Sequence, residues 1–194
     1  MPENRGANMR LVWPALDYLD GYEAALRRGW GADNTRPIES GREELEKIEH
    51  DRQRFVAGLV DREALGAPIT LPDGSQVPRL PGYRKWLWDG EFCGSIGFRW
   101  QYGTEALPEY CLGHIGYSVV PWKQRNGYAT EALRQLLPDA AALGLKYVEL
   151  TTEPENEISQ RVIVANGGQR VGEFVTSAQY GFTPELRYRI VLSR

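Results

Sequence analysis

Residues 124–129, with the sequence QRNGYA, form a short loop between two regular segments. Residues 115–120 are apolar and strand-like, and a helical pattern opens at Thr130. Gly127 and Ala129 leave little side-chain bulk, so backbone N–H groups can approach a ligand closely. The start of the helix adds unpaired N–H donors and the positive end of its dipole. The loop is therefore predicted to bind an anion, and a phosphate-bearing cofactor is the natural ligand.

A β-hairpin is predicted ahead of this loop. The dipeptide Asp89-Gly90 separates two runs rich in Trp, Leu, Phe and Ile, which is a strong hairpin signal. In the second run the even-numbered apolar residues from Phe92 to Trp100 share one parity, which predicts one common face. Beyond the loop the patterns predict a helix, a strand at residues 147–152, a short helix at residues 159–165 and two final strands.

The first sixty residues have a helical character instead. Residues 13–30 and 43–59 carry apolar side chains at helical spacing, and Ser40 with Glu43 resembles a capping box for the second helix. The whole order is helices, a β-hairpin, then β, α, β, α, β, β. This order predicts an α/β fold with a mixed sheet and helices on its faces.

Composition excludes several classes of function. The chain has 194 residues, a net charge of -3 and a pI near 5.6, which gives no support for nucleic-acid binding. Its two cysteines lack CxxC spacing and its two histidines form no cluster with them, so we expect no metal site and no disulfide framework. No stretch approaches the roughly 20 apolar residues that span a bilayer. We therefore expect a soluble, cytoplasmic protein of one domain.

The loop and its surroundings resemble the GNAT superfamily of N-acetyltransferases. The family's cofactor loop has Gln or Arg, two variable residues, Gly, one variable residue, and Gly or Ala. Gln124, Gly127 and Ala129 occupy the three defined positions. Downstream, Asn156 and the NGG run at residues 166–168 resemble the segment that follows the family's fifth strand. The resemblance covers about residues 82–194, and part of it is to ribosomal-protein N-acetyltransferases.

The resemblance implies a GNAT fold, in which a mostly antiparallel mixed sheet splays apart between its fourth and fifth strands. Helices would lie on both faces of this sheet. Residues 1–66 would form an N-terminal helical part, and residues 67–194 would form the acetyl-CoA-binding core of the same single domain.

The resemblance also implies acetyl-CoA as the cofactor. The pantetheine arm would enter the gap between the splayed strands, pairing with the backbone like an added strand, and the pyrophosphate would lie on the loop. The backbone N–H of Val119 would polarise the thioester carbonyl. Lys123 can either add charge at the phosphates or remain solvated. The implied cofactor-binding residues are Ser118, Val119, Val120, Gln124, Arg125, Asn126, Gly127, Tyr128, Ala129, Thr130, Asn156 and Ser159.

Two residues are candidates for the base that accepts the proton of the attacking amine, which has a pKa of about 10.4 when free. His114 begins the fourth strand, and an ordinary histidine pKa of about 6.5 suits proton transfer. Glu149 lies on the fifth strand, two residues before Thr151, the position where the ribosomal-protein branch carries a glutamate. A structural role is the alternative for each, and Glu153 and Glu155 are weaker candidates.

The residue that protonates the departing thiolate is less clear in sequence. Many family members use a tyrosine seven residues after the asparagine, but Ile163 stands at that position. Ser159 resembles a serine that another branch uses for this task, and it can equally be a helix cap or a cofactor contact. Tyr110 and Tyr180 lie in segments that often edge the acceptor groove in this fold.

These features predict an acetyl-CoA-dependent N-acetyltransferase that transfers acetyl directly to a primary amine in a ternary complex, with no metal. The acceptor could be a small molecule or a protein N-terminus, and the protein a monomer or homodimer. A catalytically silent acyl-CoA-binding module is the alternative, favoured by the missing tyrosine and the uncertain base. A loop that binds another anion, such as a nucleotide, is a third possibility, although no Walker or GxGxxG pattern is present.

Overall fold

The computed structural model describes residues 8–192, which form ten β-strands and five α-helices. This architecture is a mixed α/β fold, as the sequence predicts. The helices are α1 (Leu16–Arg27), α2 (Pro37–His50), α3 (Arg52–Gly58), α4 (Tyr128–Ala142) and α5 (Glu157–Ala165). The strands are β1 (Arg10–Val12), β2 (Val60–Asp61), β3 (Ile69–Thr70), β4 (Gln76–Val77), β5 (Gly82–Trp88), β6 (Phe92–Arg99), β7 (Ile115–Val119), β8 (Tyr147–Thr152), β9 (Gln169–Val175) and β10 (Pro184–Val191).

The main sheet is divided into two halves. In the first half, antiparallel strands lie in the order β1-β5-β6-β7, with β2 on the other part of β5. The second half has the order β8-β10-β9, also antiparallel. The halves meet where the N–H of His114 donates to the carbonyl of Glu149, at 2.8 Å. Beyond this point β7 and β8 diverge, which confirms the predicted splay.

The hairpin of β5 and β6 confirms the prediction from Asp89-Gly90, but its faces differ from the expected pattern. The register shifts between Leu87 and Trp88, and Gly94 adopts a positive φ of 149°. Phe92 therefore packs with the helices of one face, whereas the even-numbered apolar residues from Ile96 onwards pack on the other. The prediction of one common face from Phe92 to Trp100 was wrong because a bulge reverses the alternation.

Two apolar cores cover the two faces of the sheet. Helices α4 and α5 pack on one face of both halves of the sheet, where Leu133, Ile163 and Leu150 are buried. Helices α1, α2 and α3 pack on the other face around Tyr22, Trp86 and neighbouring aromatic rings. No helix among residues 8–192 has the length and apolar character needed to cross a bilayer.

The N-terminal part contains more than helices. Strand β1 pairs with β5, and it escapes a periodicity argument because it has three residues. Helix α2 begins at Pro37, so the predicted capping box of Ser40 and Glu43 was wrong. Asp51 ends α2 and caps α3 by accepting from the N–H of Arg54, which splits the single helix predicted for residues 43–59.

Candidate functional site

A cleft of about 1340 Å³ runs between the two halves of the sheet. It extends from the loop before α4, along β7 and β8, to the loops after α1 and before β10. Most residues predicted to bind the cofactor line it: Ser118, Val119, Gln124, Arg125, Gly127, Tyr128, Ala129, Thr130, Asn156 and Ser159. Val120 is instead buried, and the side-chain amide of Asn126 donates to the carbonyl of Lys123. These two residues shape the loop without lining the cleft.

The loop before α4 has the backbone of an anion site. Gly127 is the N-cap residue with a φ of 77°, and no side chain caps the helix. Helix α4 begins at Tyr128, two residues earlier than predicted, and its first intrahelical bond runs from the N–H of Glu131 to the carbonyl of Gly127. The three N–H groups before Glu131 are thus left without an intrahelical partner. Such donors at a helix N-terminus fit a phosphate group.

Asp89, in the turn of the β5–β6 hairpin, forms hydrogen bonds with a residue at each end of this loop. Its carboxylate accepts from the ammonium group of Lys123 at 2.9 Å and from the hydroxyl of Tyr128 at 2.6 Å. Burial alone would raise the pKa of Asp89, but the hydrogen bonds from Tyr128 and Lys123 lower it to about 2. Lys123 is paired with Asp89 and Glu91, so it is a structural cation. Within the described part of the chain, the Arg125 side chain forms no hydrogen bond or ion pair and points its charge into the cleft region.

Asp89→Asn is expected to destabilise the fold by about 1.5–3 kcal/mol, the usual contribution of hydrogen bonds to a buried charge. Because the folded pKa of Asp89 is lowered, this contribution is present above the unfolded pKa of about 3.9 and is lost as the pH falls toward 2. Urea unfolding at pH 7 and at pH 2.5 would measure the difference. The exposed carboxylate of Glu173 provides the control, and Glu173→Gln should change stability little at either pH. Equal losses for both variants would contradict the assignment.

Strand β7 turns alternate backbone groups toward the cleft. The N–H of Val120 donates to the carbonyl of Cys93 on β6, so the groups of Val119 point the other way. The amide of Gln124 accordingly donates to the carbonyl of Val119 at 3.2 Å. On the α1 side, the indole of Trp30 donates to the hydroxyl of Ser118 at 2.9 Å. The free edge of β7 therefore faces β8 across the gap.

A pair of hydroxyl groups lies at the other wall of the gap. The hydroxyl oxygens of Tyr117 and Ser159 are 2.9 Å apart, and Asn156 caps α5 by accepting from the N–H of Ser159. Burial raises the pKa of Tyr117 to about 12, and the bond to Ser159 partly opposes that rise. Sequence reasoning missed Tyr117, because its contact with Ser159 joins residues 42 positions apart. Ile163 is buried in the core and lies behind this pair.

His114 and Glu149, the two predicted bases, lie outside the cleft lining. His114 is fully buried, its Nδ1 accepts from the N–H of Glu149 at 3.0 Å, and burial lowers its pKa to about 4. The carboxylate of Glu149 is bound by Arg189 at 2.7 Å and lies 3.8 Å from Arg187. The geometry favours structural roles for both residues, because each is engaged at the closed end of the gap.

Glu185, which sequence reasoning missed, is the carboxylate with the properties of a base. It lies at the start of β10 and lines the cleft. Its Oε2 is buried and has no hydrogen-bond partner among residues 8–192. Burial and, to a lesser extent, the charge of Glu153 raise the pKa of Glu185 to about 7, against an opposing hydrogen bond from Thr151. A carboxylate with such a pKa can exchange protons at neutral pH.

Comparison with known families agrees with this geometry. Residues 74–169 match the family model described as Acetyltransferase (GNAT) domain. The Bacillus subtilis (strain 168) protein called Uncharacterized N-acetyltransferase YoaA is 30% identical over 83 residues, which is 42% of this chain and 44% of that protein. The aligned region thus spans less than half of the relative's own length.

Solved structures show the same fold at low sequence identity. The microcin C7 self immunity acetyltransferase MccE, in complex with acetyl-CoA and AMP, superposes with a TM-score of 0.61 at 15% identity, over 97% of this chain and 94% of that one. RimL, a ribosomal L7/L12 alpha-N-protein acetyltransferase in complex with coenzyme A, superposes with a TM-score of 0.61 at 12% identity, over 96% and 95%. The loop motif, the divided sheet and the family model agree, and residues 74–169 form a GNAT acetyltransferase domain.

Proposed function

We propose that the protein is an acetyl-CoA-dependent N-acetyltransferase that transfers acetyl directly to a primary amine in a ternary complex. One observation carries the proposal: a single cleft connects a helix N-terminus suited to phosphate with a strand gap that contains the half-buried carboxyl group of Glu185, whose Oε2 has no hydrogen-bond partner among residues 8–192. The loop of residues 124–129 together with the start of α4, called the cradle below, can bind the phosphates of acetyl-CoA. The carboxyl group can accept the proton that the attacking amine must lose.

We assign the cofactor to the residues of the cleft wall. Bound acetyl-CoA supplies an activated thioester acyl group. The N–H groups at the start of α4 and the charge of Arg125 would hold its phosphates, while the free edge of β7 would hold its pantetheine arm. The residues of the wall are Ser118, Val119, Gln124, Arg125, Gly127, Tyr128, Ala129, Thr130, Asn156 and Ser159, and Val120 and Asn126 would support the loop without lining the cleft.

We assign proton transfer to two groups on the walls of the gap. Glu185 accepts the proton of the attacking amine, since its pKa of about 7 leaves a useful fraction of carboxylate at neutral pH. Ser159, with Tyr117 behind it, donates a proton toward the departing sulfur. The N–H of Val119 polarises the acyl carbonyl. His114 and Glu149 are the alternatives for the base, and the variants described in the Discussion separate them from Glu185.

The cysteine chemistry supports direct transfer. Cys93 is buried, and burial raises its pKa to about 12, so the thiol stays protonated near neutral pH. A protonated, buried thiol is a poor nucleophile for a covalent acyl-enzyme. Cys93 is therefore not suited to act as an intermediary, and Cys111→Ala, which changes the cysteine that lines the cleft, should leave thiol release intact if transfer is direct.

A thiol-release assay with acetyl-CoA and a broad amine panel tests the function. We expect release of free thiol with at least one amine class, and stabilisation against heat by coenzyme A but not by ATP or NAD. Binding of coenzyme A without thiol release from any amine would favour the silent acyl-CoA-binding module. Stabilisation by ATP alone would favour the nucleotide-binding alternative.

The acceptor, location and assembly remain part of the proposal. Small amines and protein N-termini both fit an attacking primary amine, and RimL is named for acting on a protein alpha-amino group. A cytoplasmic location follows from the proposed use of acetyl-CoA, which is a cytoplasmic metabolite. We propose a monomer or a homodimer, without nucleic-acid or membrane partners.

A further inference from the structure

Arg99 places a positive charge in the cleft, level with the start of β7. It is the last residue of β6, and its N–H donates to the carbonyl of His114 at the start of the neighbouring segment. Its side chain lies over two glycines: Nη2 is 3.2 Å from the position of a Cβ on Gly116 and 3.9 Å from one on Gly97. Glycines on both β6 and β7 thus leave no side chain beneath the guanidinium group.

The guanidinium group of Arg99 has no ion pair or hydrogen bond within the part of the chain that the structure describes. Three other arginines that line the cleft are engaged. Arg84 pairs with Glu44, and Arg161 pairs with Glu157. Arg79 donates to the carbonyl of Ala67 and lies near Asp61. A half-buried guanidinium group that lines a cleft and has no partner among the described residues can bind an anionic group of a ligand.

The phosphates of acetyl-CoA do not explain this charge. The pairing of Phe98 with Ile115 sets Arg99 level with the start of β7, whereas the cradle follows the end of that strand. A strand of five residues spans roughly 16 Å at about 3.3 Å per residue. Arg125, also unpaired among the described residues, already lies at the cradle. The phosphates at the cradle therefore do not account for the charge of Arg99, which lies level with the other end of β7.

The surroundings of Arg99 suit an acceptor. The Asn34 amide donates to the carbonyl of Tyr117 and lies 3.8 Å from the Cβ position of Gly116. Asp33, the nearest acidic residue on this loop, is already bound by Thr35 and by the N–H of Arg36. The charge of Arg99 partly opposes the rise that burial causes in the pKa of Tyr180, and the Tyr180 hydroxyl donates to the carbonyl of Tyr110. These residues leave Arg99 available.

We propose that the acceptor is an amine that also carries a carboxylate or phosphate group, and that Arg99 binds this oxyanion. Glu185 and Glu153 line the same cleft, and their carboxyl groups favour an ammonium ion and disfavour the oxyanion. The two ends of the acceptor are thus distinguished by opposite charges in the cleft. This inference rests on the proposed transferase function and narrows its acceptor class.

Matched pairs of amines test the inference. Phosphoethanolamine is compared with ethanolamine, and phenylalanine with phenethylamine, for the wild type, Arg99→Gln and Arg99→Lys. We expect the anionic member of at least one pair to have a kcat/KM about 10- to 100-fold higher in the wild type, the usual gain from charge-assisted hydrogen bonds. Arg99→Gln should remove this preference by raising KM, and Arg99→Lys should restore part of it. Preference for the phosphate pair or the carboxylate pair would identify the oxyanion.

Binding measurements separate this inference from the transferase function. Calorimetry with the coenzyme A complex and each anionic amine should show weaker binding to Arg99→Gln, whether or not acetyl is transferred. Arg170→Gln on β9 removes an exposed arginine outside the cleft and should leave both binding and preference unchanged. Thiol release with neutral amines that is equally fast in the wild type and in Arg99→Gln, without preference for an anionic partner, would overturn the inference and leave the transferase function standing.

Discussion

Glu185→Gln is expected to lower kcat by about 10²- to 10⁴-fold, the usual contribution of a general base. Glutamine keeps the shape of the side chain and removes its ability to accept a proton. Because Oε2 has no partner among the described residues, the substitution breaks no hydrogen bond at that atom. The folded state should therefore be preserved, and thermal unfolding of the variant would verify this point.

The pH dependence gives a sharper test of Glu185. The carboxyl group must be ionised to accept a proton, so activity should fall below pH 7 in the wild type, where its pKa of about 7 lies. In Glu185→Gln this acid limb should disappear. The shallow rise with pH that comes from the amine's own ionisation, with a pKa of about 10, should remain. Steady-state kinetics between pH 5 and pH 9 would resolve the two contributions.

Two further variants keep this assignment open to contradiction. Glu173→Gln removes an exposed carboxylate on β9 and should leave the pH profile unchanged. Glu149→Gln tests the alternative base. If the limb near pH 7 vanished with Glu149→Gln and persisted with Glu185→Gln, the base would be Glu149. Kinetics extended below pH 4 test His114, whose pKa burial lowers to about 4: an acid limb there that disappears in His114→Gln would indicate the histidine.

Gly94→Ala is expected to lower the stability of the fold more than Asp89→Asn does. A Cβ at this position would lie 2.2 Å from the carbonyl oxygen of Ser118 and 2.8 Å from the Cα of Val119. Its φ of 149° is also unfavourable for any residue with a side chain. We expect a loss of roughly 2–4 kcal/mol from the clash and the strained backbone. This corresponds to a melting temperature lower by about 4–15 °C for a chain of this size.

The same substitution should also weaken cofactor binding, because the contacted residues form the proposed wall of the pantetheine channel. Calorimetric titration with coenzyme A would measure this loss below the melting temperature. Gly172→Ala on β9 is the matched control, since a Cβ there meets no atom within 4 Å and its φ is not positive. A Gly94→Ala variant as stable as Gly172→Ala would show that the bulge is not needed.

The sequence predicts the parts of this site that depend on neighbouring residues. Gly127 and Ala129 mark the cradle because a close backbone approach and a helix start are local properties. Asp89-Gly90 marks the hairpin for the same reason. Glu185 could not be found in this way, because its environment comes from Thr151 and Glu153 on a different strand. Its position becomes visible when the register of β8 and β10 is known.

Arg99 shows a second limit of sequence reasoning. Strand alternation predicts which side chains share a face, but the bulge at Gly94 reverses the alternation within β6. After the bulge the alternation is regular again, so Gly97 and Arg99 lie on the face of the sheet opposite to that of Phe98. The absence of a protein partner for the guanidinium group, among the residues described, depends on tertiary contacts that no pattern encodes.

The meeting of β7 and β8 at one end has a mechanical consequence. The backbone of Gly113 packs against Glu149, and the bond between His114 and Glu149 fastens the two half-sheets at this point. A rotation about it would act as a hinge, widening the cradle end while hardly moving the end near Arg99. The bulky nucleotide of coenzyme A could then enter and leave without disturbing the acceptor's position.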